Sequence, residues 1–183
     1  MDIFCKKCLL SRNLSLPVHV LAFWCEQVFM IGYFLTKASK RGHLEKVKVL
    51  LAAGADVHTE DDLALSMASG NGHLEVVTVL LAAGANVHAE DDLALQMACN
   101  RGRFRVVMAL LAAGANVHAE DDLALLGASG NGHPDVVKVL LAAGANVHAN
   151  NGQALRYASE RGNQDVVLVL RNWPRWAPLR AAF

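Results

Sequence analysis

A repeat with a fixed period constrains the fold of this chain more than any other feature of its sequence. The segment Leu-Leu-Ala-Ala-Gly-Ala occurs four times, and its glycines, Gly54, Gly84, Gly114 and Gly144, are 30 positions apart. A period of about 20–50 residues is typical of a solenoid, in which each unit buries its apolar face only against its neighbours. At 183 residues the chain suits one such domain with short ends. The sequence therefore predicts a single array of stacked units.

Each unit carries the apolar pattern of two helices. Apolar residues three and four positions apart indicate a first helix over residues 62–69 and a second helix over residues 74–83. Asp62, Asp92 and Asp122 precede the first helices and are predicted to be their N-caps. The fold class is therefore all-α, with five antiparallel helix pairs. These pairs are predicted over residues 35–53, 62–83, 92–113, 122–143 and 152–171.

The repeated motif resembles the ankyrin repeat. Gly72–Val77, Leu80-Leu81 and Gly84–Val87 carry the resemblance, which covers residues 35 to about 172. The usual ankyrin unit has about 33 residues and a Thr-Pro-Leu-His segment, whereas this chain has 30-residue units with Asp61–Leu65 at that place. The resemblance therefore implies an ankyrin-type solenoid with shortened β-turn tips. Thirty-residue units with an acidic turn are also similar to those of ankyrin repeat proteins of amoeba-infecting giant viruses.

The two ends of the chain depart from the repeat. Residues 1–34 form an irregular, apolar N-terminal segment, and residues 173–183 form a tail rich in Trp, Pro and Arg. Three interpretations of the N-terminal segment stay open: a cap or decayed repeat, a membrane segment over residues 14–35, or a disordered or artefactual stretch. The first follows from Val20, which lies 30 positions before Leu50. The second follows from length, since about 20 apolar residues span a bilayer.

The sequence indicates no catalytic, metal or cofactor site. Cys5 and Cys8 form a single Cys-x-x-Cys motif, which is a weak signal without a second ligand pair. The repeated histidines, such as His58 and His88, are interpreted as turn residues. Equivalent atoms in neighbouring helical units lie roughly 8–10 Å apart, too far for a shared zinc ion. The formal net charge is zero, so a nucleic acid partner is not expected. A non-enzymatic protein without a cofactor is predicted.

Binding is predicted at positions that vary between units and at the acidic turns. As the resemblance implies, ankyrin proteins bind other proteins through their turn tips and the face of their first helices. The predicted partner-binding residues are Glu60, Asp61, Ser66, Met67, Glu90, Asp91, Gln96, Met97, Asn100, Glu120, Asp121, Leu126, Arg156 and Tyr157. A protein partner is expected, a basic one if the acidic tips take part. The chain is expected to be a cytoplasmic monomer, with a membrane-tethered scaffold anchored by residues 14–35 as the alternative.

Overall fold

The repeat folds into successive pairs of helices. The computed structural model describes residues 30–176, and this part of the chain contains ten helices and no strand. The first helices of the five pairs are α1 (residues 30–40), α3 (Leu63–Asn71), α5 (Ala89–Asn100), α7 (Ala119–Gly130) and α9 (Ala149–Glu160). The second helices are α2 (Leu44–Ala52), α4 (Leu74–Ala82), α6 (Phe104–Ala112), α8 (Pro134–Ala142) and α10 (Gln164–Trp176). The predicted all-α solenoid of stacked helix pairs is confirmed.

The helices form two layers. From α3 to α9, each first helix packs against the next first helix, and from α2 to α10 each second helix packs against the next second helix. The first helices pack together more extensively than the second helices do. The small side chains of Ala68, Ser69 and Gly70 in α3 are all buried and allow this close approach.

The apolar core runs through both layers as repeated rows. Leu65, Leu95 and Leu125 of the first helices are each 1% exposed. The second helices contribute two fully buried rows, which are Val77, Val107 and Val137, and Leu80, Leu110 and Leu140. Because these rows lie between units, each unit depends on its neighbours for its core.

We call the short turn between the first and second helix of a unit the inner turn. The residue just before the second helix has a polar side chain that connects its unit to the preceding one. The Nε2 atom of His73 lies 3.2 Å from the carbonyl oxygen of Lys40, and that of His133 lies 3.2 Å from the carbonyl oxygen of Asn100. Asn163 donates from its Nδ2 to the carbonyl of Gly130. These carbonyls lie at the ends of first helices, where backbone oxygens lack partners within the helix. The histidines predicted to be simple turn residues therefore also contact the neighbouring unit.

The described array extends slightly beyond its expected limits. Residues 30–34 already belong to α1, and Leu35 in the same helix is fully buried. At the other end, α10 continues to Trp176. Residues 1–29 and 177–183 lie outside the described residues, as does most of the proposed membrane segment over residues 14–35. Among the helices that the structure describes, none is both long and apolar enough to cross a membrane.

Cys99 lies inside the first-helix layer. It is fully buried, and burial raises the pKa of its thiol to about 12. Ser69 and Ser129 occupy the equivalent place in α3 and α7, and their buried hydroxyls lack a hydrogen-bond partner. A thiol suits this apolar position because it loses less on burial than a hydroxyl.

Shortening a buried side chain should destabilise the protein more than shortening an exposed side chain of the same helix. Leu80→Ala should lower the free energy of unfolding by about 2–5 kcal/mol, because it leaves a cavity between units. Thr78→Ala is the matched control, since Thr78 is exposed in the same helix, and alanine favours helix. Urea unfolding measures both variants. A similar loss of stability in the two would contradict the assignment of the buried face.

Burial should also protect Cys99 from alkylation. In a chain with Cys5, Cys8 and Cys25 changed to Ser, iodoacetamide at pH 8 should modify Cys99 at least about 1,000-fold more slowly in the folded protein than in urea. This factor follows from the rise in pKa from 9.0 to about 12. Because the folded pKa is the higher one, the stability contributed by the neutral thiol is complete below about pH 9 and is lost as the pH rises towards 12. Rapid alkylation of the folded chain would contradict this burial.

Candidate partner-binding face

The turn tips have an unusual backbone. A turn tip is the group of three residues before the helical part of a first helix, and the residues of all four tips have φ between 49° and 70°. The four tips are Glu60-Asp61-Asp62, Glu90-Asp91-Asp92, Glu120-Asp121-Asp122 and Asn150-Asn151-Gly152. Left-handed backbone costs a non-glycine residue roughly 1–2 kcal/mol, and less for Asn and Asp. The tips therefore hold a conformation that other contacts must stabilise.

The third residue of each acidic tip supplies such a contact. The Asp62 carboxylate accepts a hydrogen bond of 2.9 Å from the backbone N–H of Asn86 in the next unit. Asp92 and Asp122 accept the equivalent bonds at 2.8 Å and 3.0 Å. All three aspartates are buried, with 3–6% of their surface exposed. Each carboxylate therefore connects two units at the tip edge of the array.

This arrangement corrects the predicted role of these aspartates. They were expected to cap the first helices, but Asp62 makes no hydrogen bond from its side chain to the start of α3. Its left-handed backbone differs from the extended backbone of an N-cap residue, and its carboxylate turns to the next unit instead. A histidine in the same unit completes the contact, with 3.2 Å between His58 Nδ1 and the Asp62 carboxylate, and likewise at Asp92 and Asp122.

The first two residues of each acidic tip face solvent. Their exposed carboxylates lie along one edge of three consecutive units and belong to Glu60, Asp61, Glu90, Asp91, Glu120 and Asp121. In the fourth tip the same positions hold the neutral Asn150 and Asn151. We call this row of six residues the acidic edge.

The other predicted binding residues lie on the first helices with different exposure. Ser66 is only 2% exposed, and Gln96 is also buried, with its Nε2 donating to the carbonyl of Asp91. These two side chains point into the array and are not available to a partner. Asn100 and Arg156 are exposed, while four residues are half-buried: Met67, Met97, Leu126 and Tyr157.

Three of these residues surround a hollow between α7 and α9. Asn100, Leu126 and Tyr157 line a space of about 270 Å³ together with Gly127 and Gly130. We call this hollow the glycine notch. This hollow was not predicted from the sequence, although one signal is present there: Gly127 occupies the position that Met67, Met97 and Tyr157 hold in three other units.

The part of the chain that the structure describes contains no group of three or more His, Cys, Asp or Glu residues placed to hold a metal ion.

Comparison with known families agrees with this architecture. The sequence model described as ankyrin repeats (3 copies) matches residues 35–121 and, in a second match, residues 95–173. The chain belongs to the ankyrin repeat family. Ankyrin repeats are general protein–protein interaction modules and are typically non-enzymatic. No curated protein matches this ankyrin repeat chain.

Substitution by glycine should change the stability of the protein differently at two neighbouring tip residues. Asp92→Gly removes the carboxylate that binds the N–H of Asn116, and should lower the free energy of unfolding by about 1–3 kcal/mol. Asp91→Gly is the matched control, because Asp91 is exposed and has nearly the same backbone, with φ of 53° against 61°. Glycine relieves its left-handed strain, so stability should stay level or rise. Thermal unfolding measures both, and equal effects would contradict the role of the buried carboxylate.

Proposed function

We propose that this ankyrin array binds a protein partner through the exposed face of its first helices and its acidic edge. One observation carries the proposal: the contacts between units are the same along the array, whereas the exposed residues of the first helices differ from unit to unit. The link from Asp62 to the next unit recurs at Asp92 and Asp122 with almost the same length. In a solenoid, residues that vary while the contacts between units stay constant form the surface that recognises a partner.

The first-helix face differs from unit to unit at neighbouring positions. The series Met67, Met97, Gly127 and Tyr157 lies beside the series Gly70, Asn100, Gly130 and Glu160. None of these side chains belongs to the repeated core rows. The face therefore presents a distinct surface in each unit, which supports recognition of one specific partner over general adhesion.

The charges of the array favour a defined orientation of the partner. The acidic edge carries six exposed carboxylates, whereas exposed cations lie at the inner turns, among them Lys40, Arg41, Arg101 and Arg161. Complementary charge accelerates the encounter of two proteins and fixes their register. A partner with a basic region over the tips fits this distribution.

Affinity capture from the cells that express the chain tests the proposal. The full chain should retain a protein that binds saturably, and a variant with Tyr157→Ala and Arg156→Ala on the first-helix face should retain less of it. Retention of no protein, or equal retention by the variant, would contradict binding through this face.

Neutralising the acidic edge should change binding kinetics more than stability. Glu60, Glu90 and Glu120 become Gln, and Asp61, Asp91 and Asp121 become Asn, while the three buried aspartates stay. Repulsion between tips falls, so stability should stay level or rise slightly. Association with the captured partner should slow and lose most of its dependence on salt, because exposed charges act mainly on encounter.

The measurement is the association rate at two ionic strengths. The control neutralises exposed carboxylates of the second helices, which are Glu45, Glu75, Asp135 and Asp165. This control should keep the salt dependence of the unchanged chain. If both variants behave alike, the acidic edge has no specific part in binding.

A further inference from the structure

The glycine notch lies at the point where a repeated packing pattern between first helices is reversed. A Cβ atom added to Gly70 would lie 3.0 Å from the terminal methyl of Met97, so Met97 covers Gly70 from the next unit. Tyr157 covers Gly130 in the same way, at 2.7 Å from such a Cβ atom. Between these two pairs the order is reversed, because Asn100 of the earlier unit covers Gly127 of the next one and its Oδ1 would clash with a Cβ atom at position 127. The notch lies beside this reversed pair, next to Leu123 and Leu126.

The walls of the notch combine an apolar base with a polar rim. Leu123 is 37% exposed, whereas Leu63 and Leu93 at the equivalent positions are half-buried, and Leu126 and Tyr157 lie beside it. The side-chain amides of Asn100 and Asn131 and the guanidinium of Arg161 form the rim. The volume of the notch, about 270 Å³, lies just below the roughly 300–1,000 Å³ of small-molecule sites. This size suits a single side chain of a protein.

Arg161 is held in position at the rim. Its guanidinium carbon lies 5.0 Å from the centre of the Tyr157 ring, and its NH1 donates to Asn131 Oδ1 at 3.1 Å. These contacts use one of the three guanidinium nitrogens, and an arginine has five N–H donors. Of the described residues that line the notch, Arg161 alone carries a charge. The nearby Arg156 lies 3.8 Å from the Glu160 carboxylate and is partly neutralised by it.

We propose that the glycine notch binds one apolar side chain of an extended segment of the protein partner, and that Arg161 binds a carboxylate next to that side chain. The inference rests on the proposed function, because it names the chemistry that the first-helix face recognises. The carboxylate fits the charge of Arg161, which forms no ion pair with another described residue, and a guanidinium fixed by other contacts binds a carboxylate with less loss of side-chain freedom. The apolar side chain covers Leu123 and Leu126. Together with the acidic edge, this chemistry describes a partner that is acidic at the notch and basic at the tips.

A residue pair from another unit of the chain can be copied to fill the notch. The double variant Asn100→Gly with Gly127→Met copies the pair of Gly70 and Met97 one unit further along. Glycine at position 100 removes the clash of a Cβ at position 127 with Asn100 Oδ1. The double variant should therefore fold with an unfolding temperature near that of the unchanged chain, while its notch is filled.

A matched pair of arginine variants tests the carboxylate. Arg161→Gln removes the charge at the notch. Arg101→Gln removes an arginine that makes the same type of bond, from NH1 to Asn71 Oδ1 at 2.8 Å, where Met97 already covers the glycine. Both variants lose a bond to an asparagine side chain, and Arg161→Gln also loses the contact with the Tyr157 ring and a bond to the Gly130 carbonyl. A loss of peptide affinity therefore reports on the notch when the two variants have similar unfolding temperatures.

The experiment selects displayed random peptides on the full chain and then measures the affinity of the enriched peptides for each variant. We expect peptides that share an apolar residue next to Asp or Glu. Their affinity should fall about tenfold or more with the double variant and with Arg161→Gln, and should not change with Arg101→Gln. Failure to enrich any peptide, enrichment without acidic residues, or equal binding to the filled notch would overturn the inference. Peptides that bind the filled variant but lose affinity with Tyr157→Ala and Arg156→Ala would overturn the notch alone and would still support binding through the first-helix face.

Discussion

The apolar interface between successive units is the interaction on which the rest of the structure depends. A pair of short helices cannot enclose a core, and here the fully buried rows that contain Val77 and Leu80 lie between neighbouring pairs. Burial of this surface supplies the main stabilisation, and it requires the same spacing at every step. Any departure from this spacing would expose apolar residues in two units at once. The constancy of the second helices and of the Leu-Leu-Ala-Ala-Gly-Ala segment follows from this requirement.

Two polar links fix this spacing at opposite edges of the array. At the tip edge, a buried carboxylate such as Asp92 accepts the N–H of Asn116 in the next unit. At the inner turns, a side chain such as His133 reaches the end of the preceding first helix. These bonds hold both edges of the array, and the core lies between them. The exposed residues of the first helices can therefore differ from unit to unit without loss of these contacts. The same frame that gives stability thereby leaves a surface on which a specific partner can be recognised.

The tips show a balance between local strain and contacts between units. Three consecutive left-handed residues are costly for Glu and Asp, and the bonded carboxylate at the third position offsets part of that cost. The last tip carries Asn150, Asn151 and Gly152, which tolerate this backbone better, and its third residue has no carboxylate. The difference suits the last helix pair that the structure describes, because no further described pair follows to which a carboxylate could bond. The exposed first and second residues of the acidic tips take no part in these bonds, which leaves their charge available for encounter with a partner.

The sequence by itself determined the period, the two helices of each unit and their buried faces, because solenoid units repeat the same local contacts and helical periodicity is visible in the chain. It also identified the exposed tip carboxylates and most of the first-helix face. Only the tertiary structure decided what Asp62 does, since its partner Asn86 lies 24 positions away and the backbone of the tip turns the carboxylate from the helix to the next unit. The glycine notch was likewise decided by packing, because Asn100 and Tyr157, which line it around Gly127 and Gly130, come from the neighbouring units on either side.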